Sequence, residues 1–417
     1  MIDIKKLRET PEEIKNALRK KHVDPVMIDN LVSLDKEKRS LGMQLEELQA
    51  KRNKASKEMP SLSPEQREKM KPEMQFLKEQ LGEIEPKVTK LEDEIKQLLL
   101  QIPNPPLESV PAGKDDSENV SIKTVGKKPE FSFAPRDHME LAKLNNMIEM
   151  EAATKMSGSR FYYLKNMAVM LEFALVHFVM NKLVKKGFTP VIPPVLVKEH
   201  AMFGTGFFPA DRSEIYHVNP EDDDLYLVGT AEVPLCMMYA DQVIPAEQLP
   251  LRFVGFSSCF RREAGSYGKD TAGIMRVHQF DKIEMFSFCH PDNSEAEHEM
   301  IRSIEEEIMS DLGFHFQVLN ICGGDLGAPA AKKYDVEAWI PTQNKFRELT
   351  SASNCTDYQA RRANVRYKDE TGNHFVHTLN GTATAMARTI IAIMENYQQA
   401  DGTIAVPEVL KKYMFGN

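Results

Sequence analysis

The 417-residue sequence has few cysteines and no glycine-rich nucleotide motif. Its five cysteines lie far apart and form no CxxC pair, so neither a disulfide framework nor a zinc site is expected. Reduced thiols are typical of a cytoplasmic protein. The absence of GxGxxG and GxxxxGK[ST] excludes Rossmann and P-loop nucleotide sites. The N-terminus is charged and lacks the apolar core of a secretory signal.

Long apolar runs and excess positive charge are also lacking. The most apolar stretch, residues 167–180, is interrupted by Glu172 and His177, and we predict that it is too short and too polar to span a bilayer. No membrane partner is therefore expected. The chain has 53 basic and 62 acidic residues, which alone disfavours a nucleic-acid partner. Residues 1–102, however, hold 21 basic and 20 acidic residues, so the net negative charge belongs to the rest of the chain.

Heptad spacing is the clearest periodic signal. Two apolar seams lie on either side of a turn at residues 59–66 and predict an antiparallel coiled-coil hairpin over about 27–102. The proline at position 86 should kink the second helix or remove a hydrogen bond from it. The seam positions are Met27, Leu31, Leu34, Lys38, Leu41, Leu45, Leu48, Arg52, Ala55 and Met59, then Leu77, Leu81, Ile84, Val88, Leu91, Ile95, Leu98 and Ile102.

The chain after residue 102 changes character. Residues 103–119 are rich in proline and acidic residues without any period, which predicts a domain linker. In residues 120–417, grouped short strands are flanked by helices. This order favours an α+β fold with an antiparallel sheet over alternating βαβ units.

One strand–loop–strand segment, residues 259–286, carries most of the chemistry. On its return strand His278, Phe280, Lys282 and Glu284 alternate with other residues and should share one face. A scattered-charge solvent hairpin is the commoner explanation for such a segment. A cation, a ring and a carboxylate on one face, however, suit a ligand with phosphate, base and amine.

The same segment resembles motif 2 of the class II aminoacyl-tRNA synthetases, in the version of the seryl-tRNA synthetase family. GFTPVIPP (187–194) resembles motif 1 and LNGTATAMARTIIAIMENYQ (379–398) resembles motif 3. VGTAEVPL (228–235) resembles the family's serine-binding Thr-Ala-Glu, and RELTSASNCTDYQARR (347–362) its Glu-x-x-Ser segment. The resemblance covers the whole chain and implies a homodimer. It also implies a tRNA-binding domain at 1–102, a linker at 103–119 and a catalytic domain at 120–417.

The implied reaction joins the carboxylate of serine to the α-phosphorus of ATP. The carboxylate is already ionised, so catalysis depends on positioning and on neutralising charge at phosphate oxygens. Arg261 suits the amino-acid carboxylate and the α-phosphate together, since a guanidinium binds two oxygens. Arg388 and Arg276 suit the γ-phosphate end. Phe280 offers a face for adenine, with Arg388 a candidate for the other face.

The resemblance implies the following residue sets. The catalytic residues are Arg261, Arg388 and Glu348, and Glu348 and Ser351 would hold Mg²⁺. The ATP-binding residues are Arg261, Arg262, Glu263, Arg276, Val277, Phe280, Glu348, Leu349, Thr350, Ser351 and Arg388. The serine-binding residues are Thr230, Ala231, Glu232, Arg261, Glu284 and Thr382. A glutamate such as Glu348 is more often an ordinary surface carboxylate than a metal ligand. For Thr382 taken alone, a structural role at the end of a strand explains the residue as well as serine binding does.

The coiled coil has two interpretations. A heptad hairpin is more often a dimerisation or scaffold element than an RNA-binding one, but residues 36–57 hold seven basic and three acidic residues. Five of the basic residues lie off the seam, where they can face a phosphate backbone. The family's use of this arm favours tRNA(Ser), with tRNA(Sec) as a further candidate. The five residues are Lys36, Arg39, Lys51, Lys54 and Lys57.

The sequence departs from the family pattern at four places. Ala387 replaces a glycine before the motif 3 arginine, Ala272 replaces a frequent arginine, GTGFFP (204–209) replaces GTGQLP, and Pro86 lies within the arm. Two alternative functions remain: a related synthetase for threonine, proline, glycine or a carrier protein, and a non-catalytic coiled-coil interaction protein. The intact Thr-Ala-Glu segment and the arginines favour a ligase for serine and tRNA.

Overall fold

The computed structural model describes residues 1–264 and 273–414. Its contacts divide the chain into two compact units. One unit is Ile2–Ile102, and the other is Met1 together with the chain from Pro103 onward. Ala272, one of the departures from the family pattern, lies outside the described residues.

The first unit is a helical hairpin preceded by two short helices. Its helices are α1 (Ile4–Glu9), α2 (Pro11–Arg19), α3 (Pro25–Glu58) and α4 (Pro64–Gln101). Gln49 bonds to Glu85 and Lys38 pairs with Glu92 at 2.9 Å, so α3 and α4 run antiparallel, as the heptads predict. Lys38, a polar seam residue, therefore forms a cross-hairpin ion pair. At about 1.5 Å per residue, α3 is about 51 Å long.

The base of the hairpin departs from the predicted seam. Ile28 and Asp35 are buried there instead of Met27 and Leu34, and Leu99 instead of Leu98. The reason is that α2 also packs against α3 at this end, so a different row of α3 side chains is buried. Arg8 of α1 donates two hydrogen bonds to the buried Asp35.

Helix α4 passes through Pro72 and Pro86 without ending. Proline has no N–H, so the hydrogen bond predicted to be lost at Pro86 is lost. The helix continues because the seam on both sides, including Leu81 and Val88, is buried in the hairpin.

The second unit is built on a mixed sheet. Its helices are α5 (His138–Leu144), α6 (Glu151–Ser157), α7 (Met167–Lys185), α8 (Glu199–Thr205), α9 (Glu232–Met237), α10 (Ser294–Asp311), α11 (Tyr358–Ala363), α12 (Met386–Asn396) and α13 (Glu408–Lys411). Its strands are β1 (Val120–Val125), β2 (Ile148–Glu149), β3 (Tyr163–Leu164), β4 (Thr189–Val191), β5 (Leu196–Val197), β6 (His217–Val218), β7 (Leu225–Leu227), β8 (Val243–Pro245), β9 (Leu251–Phe260), β10 (Gln279–Cys289), β11 (Phe316–Asn320), β12 (Lys332–Ile340), β13 (Lys345–Asn354), β14 (Arg366–Asp369), β15 (Gly372–Phe375) and β16 (His377–Ala385).

Among the described residues, eight strands form the main sheet in the order β1-β11-β12-β13-β16-β10-β9-β4. Its pairs are antiparallel, as predicted, except that β4 runs parallel to β9 at the edge. Helices α10 and α12 pack against the central strands, and their apolar side chains share one core with β10, for example Ile301, Ile390 and Ile283. The α+β prediction is confirmed, and in the main sheet the parallel β4–β9 pair is added at one edge.

Two sequence expectations change in this unit. Helix α7 has 19 residues, more than the apolar stretch 167–180, and by length and composition alone it could cross a membrane, a property that buried core helices share. Charged residues shorten the apolar run but do not end the helix, and Leu171, Leu175 and Val179 are buried in the core. The predicted linker, residues 103–119, packs on this unit, where Asn104 donates hydrogen bonds to the carbonyls of Pro329 and Cys355.

Candidate active site

The central strands bring the predicted residues to one cleft. Phe280 pairs with Cys259 and Glu284 with Gly255 across β9–β10, while Glu284 also pairs with Thr382 of β16. The Nζ of Lys282 lies 2.5 Å from Oε2 of Glu284, which shows that these alternate residues share a face. Strand β13, on the far side of β16, adds residues of the 347–362 segment.

The cleft has about 600 Å³ of space, part of it open to solvent. Nine of the eleven predicted ATP-binding residues line it. They are Arg261, Glu263, Arg276, Val277, Phe280, Glu348, Leu349, Ser351 and Arg388, accompanied by Ile274, Met275, Lys282, Thr382, Ala385 and Ala387. Ala387, which replaces the family's glycine, therefore places its methyl group at the wall of this cleft.

Two predicted ATP-binding residues lie elsewhere. Thr350 is buried and its hydroxyl donates to Oε2 of Glu305 in α10 at 3.0 Å, so its side chain faces the core and not the cleft. The alternation of β13 places Ser351 on the cleft side instead. Arg262 is exposed, and its backbone N–H donates to the carbonyl of Glu214.

Each cleft arginine contacts a group that fixes its position. Nη1 of Arg276 lies 2.6 Å from Oε2 of Glu263, and Nη1 of Arg388 lies 3.1 Å from Oε2 of Glu348. The guanidinium of Arg261 stands 5.3 Å from the ring centre of Phe280, within cation–π range. The arginines are therefore oriented before any ligand arrives, as transition-state stabilisation requires.

Glu348 is held in its ionised form. Burial alone would raise its pKa, but Arg388 and Lys333 outweigh burial and lower the pKa to about 2. Ser351 lines the same cleft. An ionised carboxylate and a hydroxyl suit Mg²⁺, which commonly takes one or two protein oxygens and completes its shell with phosphates and water. Within the described residues, no group of three His, Cys, Asp or Glu side chains could hold a metal without such help.

Apart from Arg261, which is exposed, the predicted serine-binding residues form a buried cluster beside the cleft. Oγ1 of Thr382 donates to Oε2 of Glu284 at 3.3 Å, and Oγ1 of Thr230 accepts from the N–H of Glu232 at 3.2 Å. Glu232 begins α9 and is buried, as are Thr230 and Glu284. Ala231 packs into an apolar cluster with Leu235 and Phe253, so its side chain supports the site and has no polar group to offer.

The surroundings of Glu232 disfavour its ionised form. Burial and, after it, the nearby Glu284 raise its pKa to about 7, against the opposing influence of Gln359, Lys282 and Arg261. The side chain of Gln359 donates to Oε1 of Glu232 at 2.6 Å. Two carboxylates close to one lysine form a site that can hold an ammonium group and still accept from a hydroxyl.

Sequence reasoning missed Lys282, Gln359 and Lys333. Lys282 was placed on the correct face but given no role, although it pairs with Glu284. Gln359 lies within the 347–362 segment, yet its contact with Glu232 joins residues 127 positions apart. Lys333 influences Glu348 from the neighbouring strand β12.

The predicted tRNA-contacting residues all lie exposed on α3. Lys51 pairs with Glu47 at 2.7 Å, and Arg39 pairs with the buried Asp35 at 3.1 Å. The Lys51–Glu47 pair is exposed, and such a pair is weak and competes poorly with a phosphate backbone.

Comparisons with known proteins cover both units. The model of the class II tRNA synthetase core domain (G, H, P, S and T) matches residues 216–397, and that of the seryl-tRNA synthetase N-terminal domain matches residues 1–106. The serine–tRNA ligase of Dictyoglomus turgidum is 46% identical over 99% of this chain and 98% of its own length. That of Thermobifida fusca is 45% identical over 99% and 97%. The structure of seryl-tRNA synthetase from Pyrococcus horikoshii complexed with ATP has a TM-score of 0.94 at 42% identity, over 99% of this chain and 98% of that one.

Proposed function

The chain belongs to the seryl-tRNA synthetase family, and from that premise we propose which of its residues carry out each step of serine charging. Its activity is the ATP-dependent ligation of serine to tRNA. In the first step a carboxylate oxygen of serine attacks the α-phosphorus of ATP, and pyrophosphate leaves. In the second step a hydroxyl at the 3′ end of tRNA attacks the carbonyl carbon of seryl-adenylate, and AMP leaves.

Arg261 is the residue we assign to the junction of the two substrates. It lines the ATP cleft, contacts the carbonyl of Gly229 next to the Thr-Ala-Glu segment, and stands over Phe280. Its guanidinium can therefore bind the serine carboxylate and the α-phosphate at the same time. Phe280 supports adenine, Glu263 accepts from the adenine amino group, and Arg276 and Arg388 neutralise the far phosphates.

Magnesium fits the oxygen donors of the cleft. We assign Glu348 and Ser351 as its protein ligands, because one is held ionised and both line the cleft. When bound, the metal supplies positive charge to the phosphate oxygens. Arg388 contacts Glu348 as well, so it neutralises charge at the same end of ATP.

Serine is selected by the buried cluster. Glu232 and Glu284 receive the ammonium group, while Thr230 and Thr382 supply polar contacts for the small hydroxyl side chain. A site with buried polar groups rejects analogues that lack the hydroxyl, because those groups would be left unpaired.

The observation that carries this assignment is one continuous site in which Arg261 and Thr382 border both the ATP cleft and the serine cluster. The test is ATP–pyrophosphate exchange with each of the twenty amino acids. Exchange with serine alone supports the assignment, and exchange led by threonine, proline or glycine contradicts it. Charging of tRNA(Ser) and of tRNA(Sec) in the same preparation decides whether the second is also a substrate.

The domain roles follow the same division. We propose that residues 1–102 bind tRNA through Lys36, Arg39, Lys51, Lys54 and Lys57, that 103–119 connect the domains, and that 120–417 catalyse the reaction. The family model over 1–106 and the exposed basic face of α3 support this division. We place the protein in the cytoplasm, since all five cysteines are free thiols.

A homodimer is proposed through the motif 1 surface. Exposed apolar side chains lie on α7 and just after β4: Ile192 is 83% exposed, Phe173 50% and Val184 46%. Such side chains on one surface mark an interface. Sedimentation should show a dimer that Ile192→Lys disrupts, whereas Val243→Lys, a matched exposed valine on β8, leaves it intact. A monomeric parent protein would contradict the proposal.

A further inference from the structure

Residues 273–277 bring Ile274, Met275 and Arg276 into the ATP cleft. The ring of His138 packs against the first residue of this segment, Gly273. Gly273 has a φ of +71°, and a Cβ placed on it would lie 2.0 Å from Nε2 of His138 and 2.8 Å from its Cε1. The edge of the imidazole therefore rests directly on the glycine backbone. Only glycine fits beneath this ring, both for its left-handed conformation and for lack of space.

His138 is fixed from its other side by Glu395. This carboxylate is fully buried in α12 and receives four donors: the N–H and Nδ1 of His138, both at 3.2 Å, and the N–H and hydroxyl of Thr342, at 3.2 and 2.6 Å. The ring cannot turn without breaking one of these bonds. Its Nε2, by contrast, is buried and has no hydrogen-bond partner among the described residues.

An unpartnered buried nitrogen is rare in folded proteins and calls for a reason. A phenylalanine would avoid it but would leave Glu395 short of a donor. A histidine satisfies the carboxylate with one nitrogen and presents the rest of the ring as a rigid wall to Gly273. The geometry therefore fits a role in holding the backbone of the 273–277 segment.

Helix α12 holds this segment at two points, one by direct contact and one through His138. Arg388, in the first turn of α12, donates to the carbonyl of Met275 at 3.4 Å. Glu395 lies seven residues later, two turns along the same side of the helix, and acts on Gly273 through His138. The segment between these points delivers Arg276, which pairs with Glu263 at 2.6 Å in the cleft.

We propose that His138, held by Glu395, is a positioning residue for ATP: it fixes the start of the segment that places Met275 and Arg276 against Arg388 and Glu263. The proposal rests on the assignment of this cleft to ATP. His138 does not line the cleft, so its effect passes through the backbone of Gly273.

Three variants test it by the KM for ATP and the KM for serine in pyrophosphate exchange, with Tm measured for each. His138→Asn keeps a donor near Nδ1 for Glu395 but removes the ring edge over Gly273. It should raise the KM for ATP about fivefold and leave that for serine unchanged. Gly273→Ala should raise it more. In the double variant, His138→Asn with Gly273→Ala, the ring no longer obstructs the new methyl. The KM for ATP should therefore fall at least about threefold below that of Gly273→Ala alone, a coupling not expected of distant, independent residues.

Gly313→Ala is the matched control. Gly313 also has a positive φ, of +72°, and its Cβ would meet the hydroxyl of Tyr397, but neither residue lines the cleft. It should lower Tm without separating the two KM values. The proposal is overturned if His138→Asn leaves the KM for ATP unchanged, if both KM values rise together, or if the effects of the two substitutions simply multiply. Absence of serine-dependent exchange in the parent protein would instead reject the assigned function.

Discussion

Serine binding is expected to weaken below pH 7, because the ammonium of serine needs the ionised form of Glu232. The pKa of this carboxyl is raised to about 7, first by burial and then by Glu284. With that pKa, about one tenth of the free protein has an ionised Glu232 at pH 6 and about nine tenths at pH 8. Apparent affinity scales with the competent fraction, so serine affinity should fall about tenfold from pH 8 to pH 6.

The assay is pyrophosphate exchange at pH 6, 7 and 8, with the KM for serine and the KM for ATP determined separately. The KM for ATP serves as the internal control and should change little. Gln359→Leu removes the donor that lies 2.6 Å from Glu232 and favours its ionised form. The midpoint of the serine profile should therefore move to higher pH in this variant. Gln242→Leu, at an exposed glutamine whose side-chain amide donates to the carbonyl of Met238, is the control.

A serine KM that is constant between pH 6 and pH 8 would refute the reasoning, since it would mean that Glu232 is ionised throughout or does not bind the ammonium. An unshifted midpoint in Gln359→Leu would show that the hydrogen bond from Gln359 does not control this carboxyl. Equal changes in the KM for ATP and the KM for serine would trace the pH effect to another group.

Three further predictions concern the chemistry, the arm and the stability of the fold. Arg261→Ala should lower serine-dependent exchange a few hundredfold, about 3–4 kcal/mol, in a folded protein, and near-normal exchange would remove Arg261 from the site. Alanine at the five basic residues of α3 should leave adenylate formation intact and weaken tRNA charging. The slope of the logarithm of the tRNA binding constant against the logarithm of the salt concentration should become less steep by about one unit per lost contact. Charging equal to that of the parent would mean that the arm is purely structural. The pKa of Glu172 is raised to about 8, first by burial and then by Asp281. The folded state therefore binds more protons than the unfolded state between about pH 4.5 and 8, so the stability of the fold falls as the pH rises through this range. Glu172→Gln should therefore raise Tm relative to the parent more at pH 8 than at pH 5, and an equal difference at both values would contradict the raised pKa.

The sequence by itself determined those features that depend on local periodicity. Heptad spacing was enough to predict the α3–α4 hairpin, because a seam repeats within each helix. Period-two alternation was enough to place Lys282 and Glu284 on one face, as their 2.5 Å contact confirms, and Phe280 lines the same cleft as Lys282. His278, the fourth residue of that prediction, precedes the first residue of β10. Strand grouping was enough to predict an α+β fold, and the family motifs indicated most of the residues that line the cleft.

Tertiary structure decided the contacts that link distant parts of the chain. Packing of α2 on α3 turned Asp35 inward at the base of the arm, against the heptad pattern. Thr350 and Ser351 are neighbours in a short polar run, and only the position of β13 in the sheet decides which of them faces the cleft.

The same holds for electrostatics and for backbone placement. The pKa of Glu232 depends on Gln359 and Glu284, and the wall over Gly273 depends on His138 and Glu395. These partners are separated in sequence by tens to hundreds of residues. Periodicity specifies which side of a helix or strand is apolar. The order of the strands and the packing of the helices specify which buried polar groups meet, and their burial together sets their pKa values and therefore their charge.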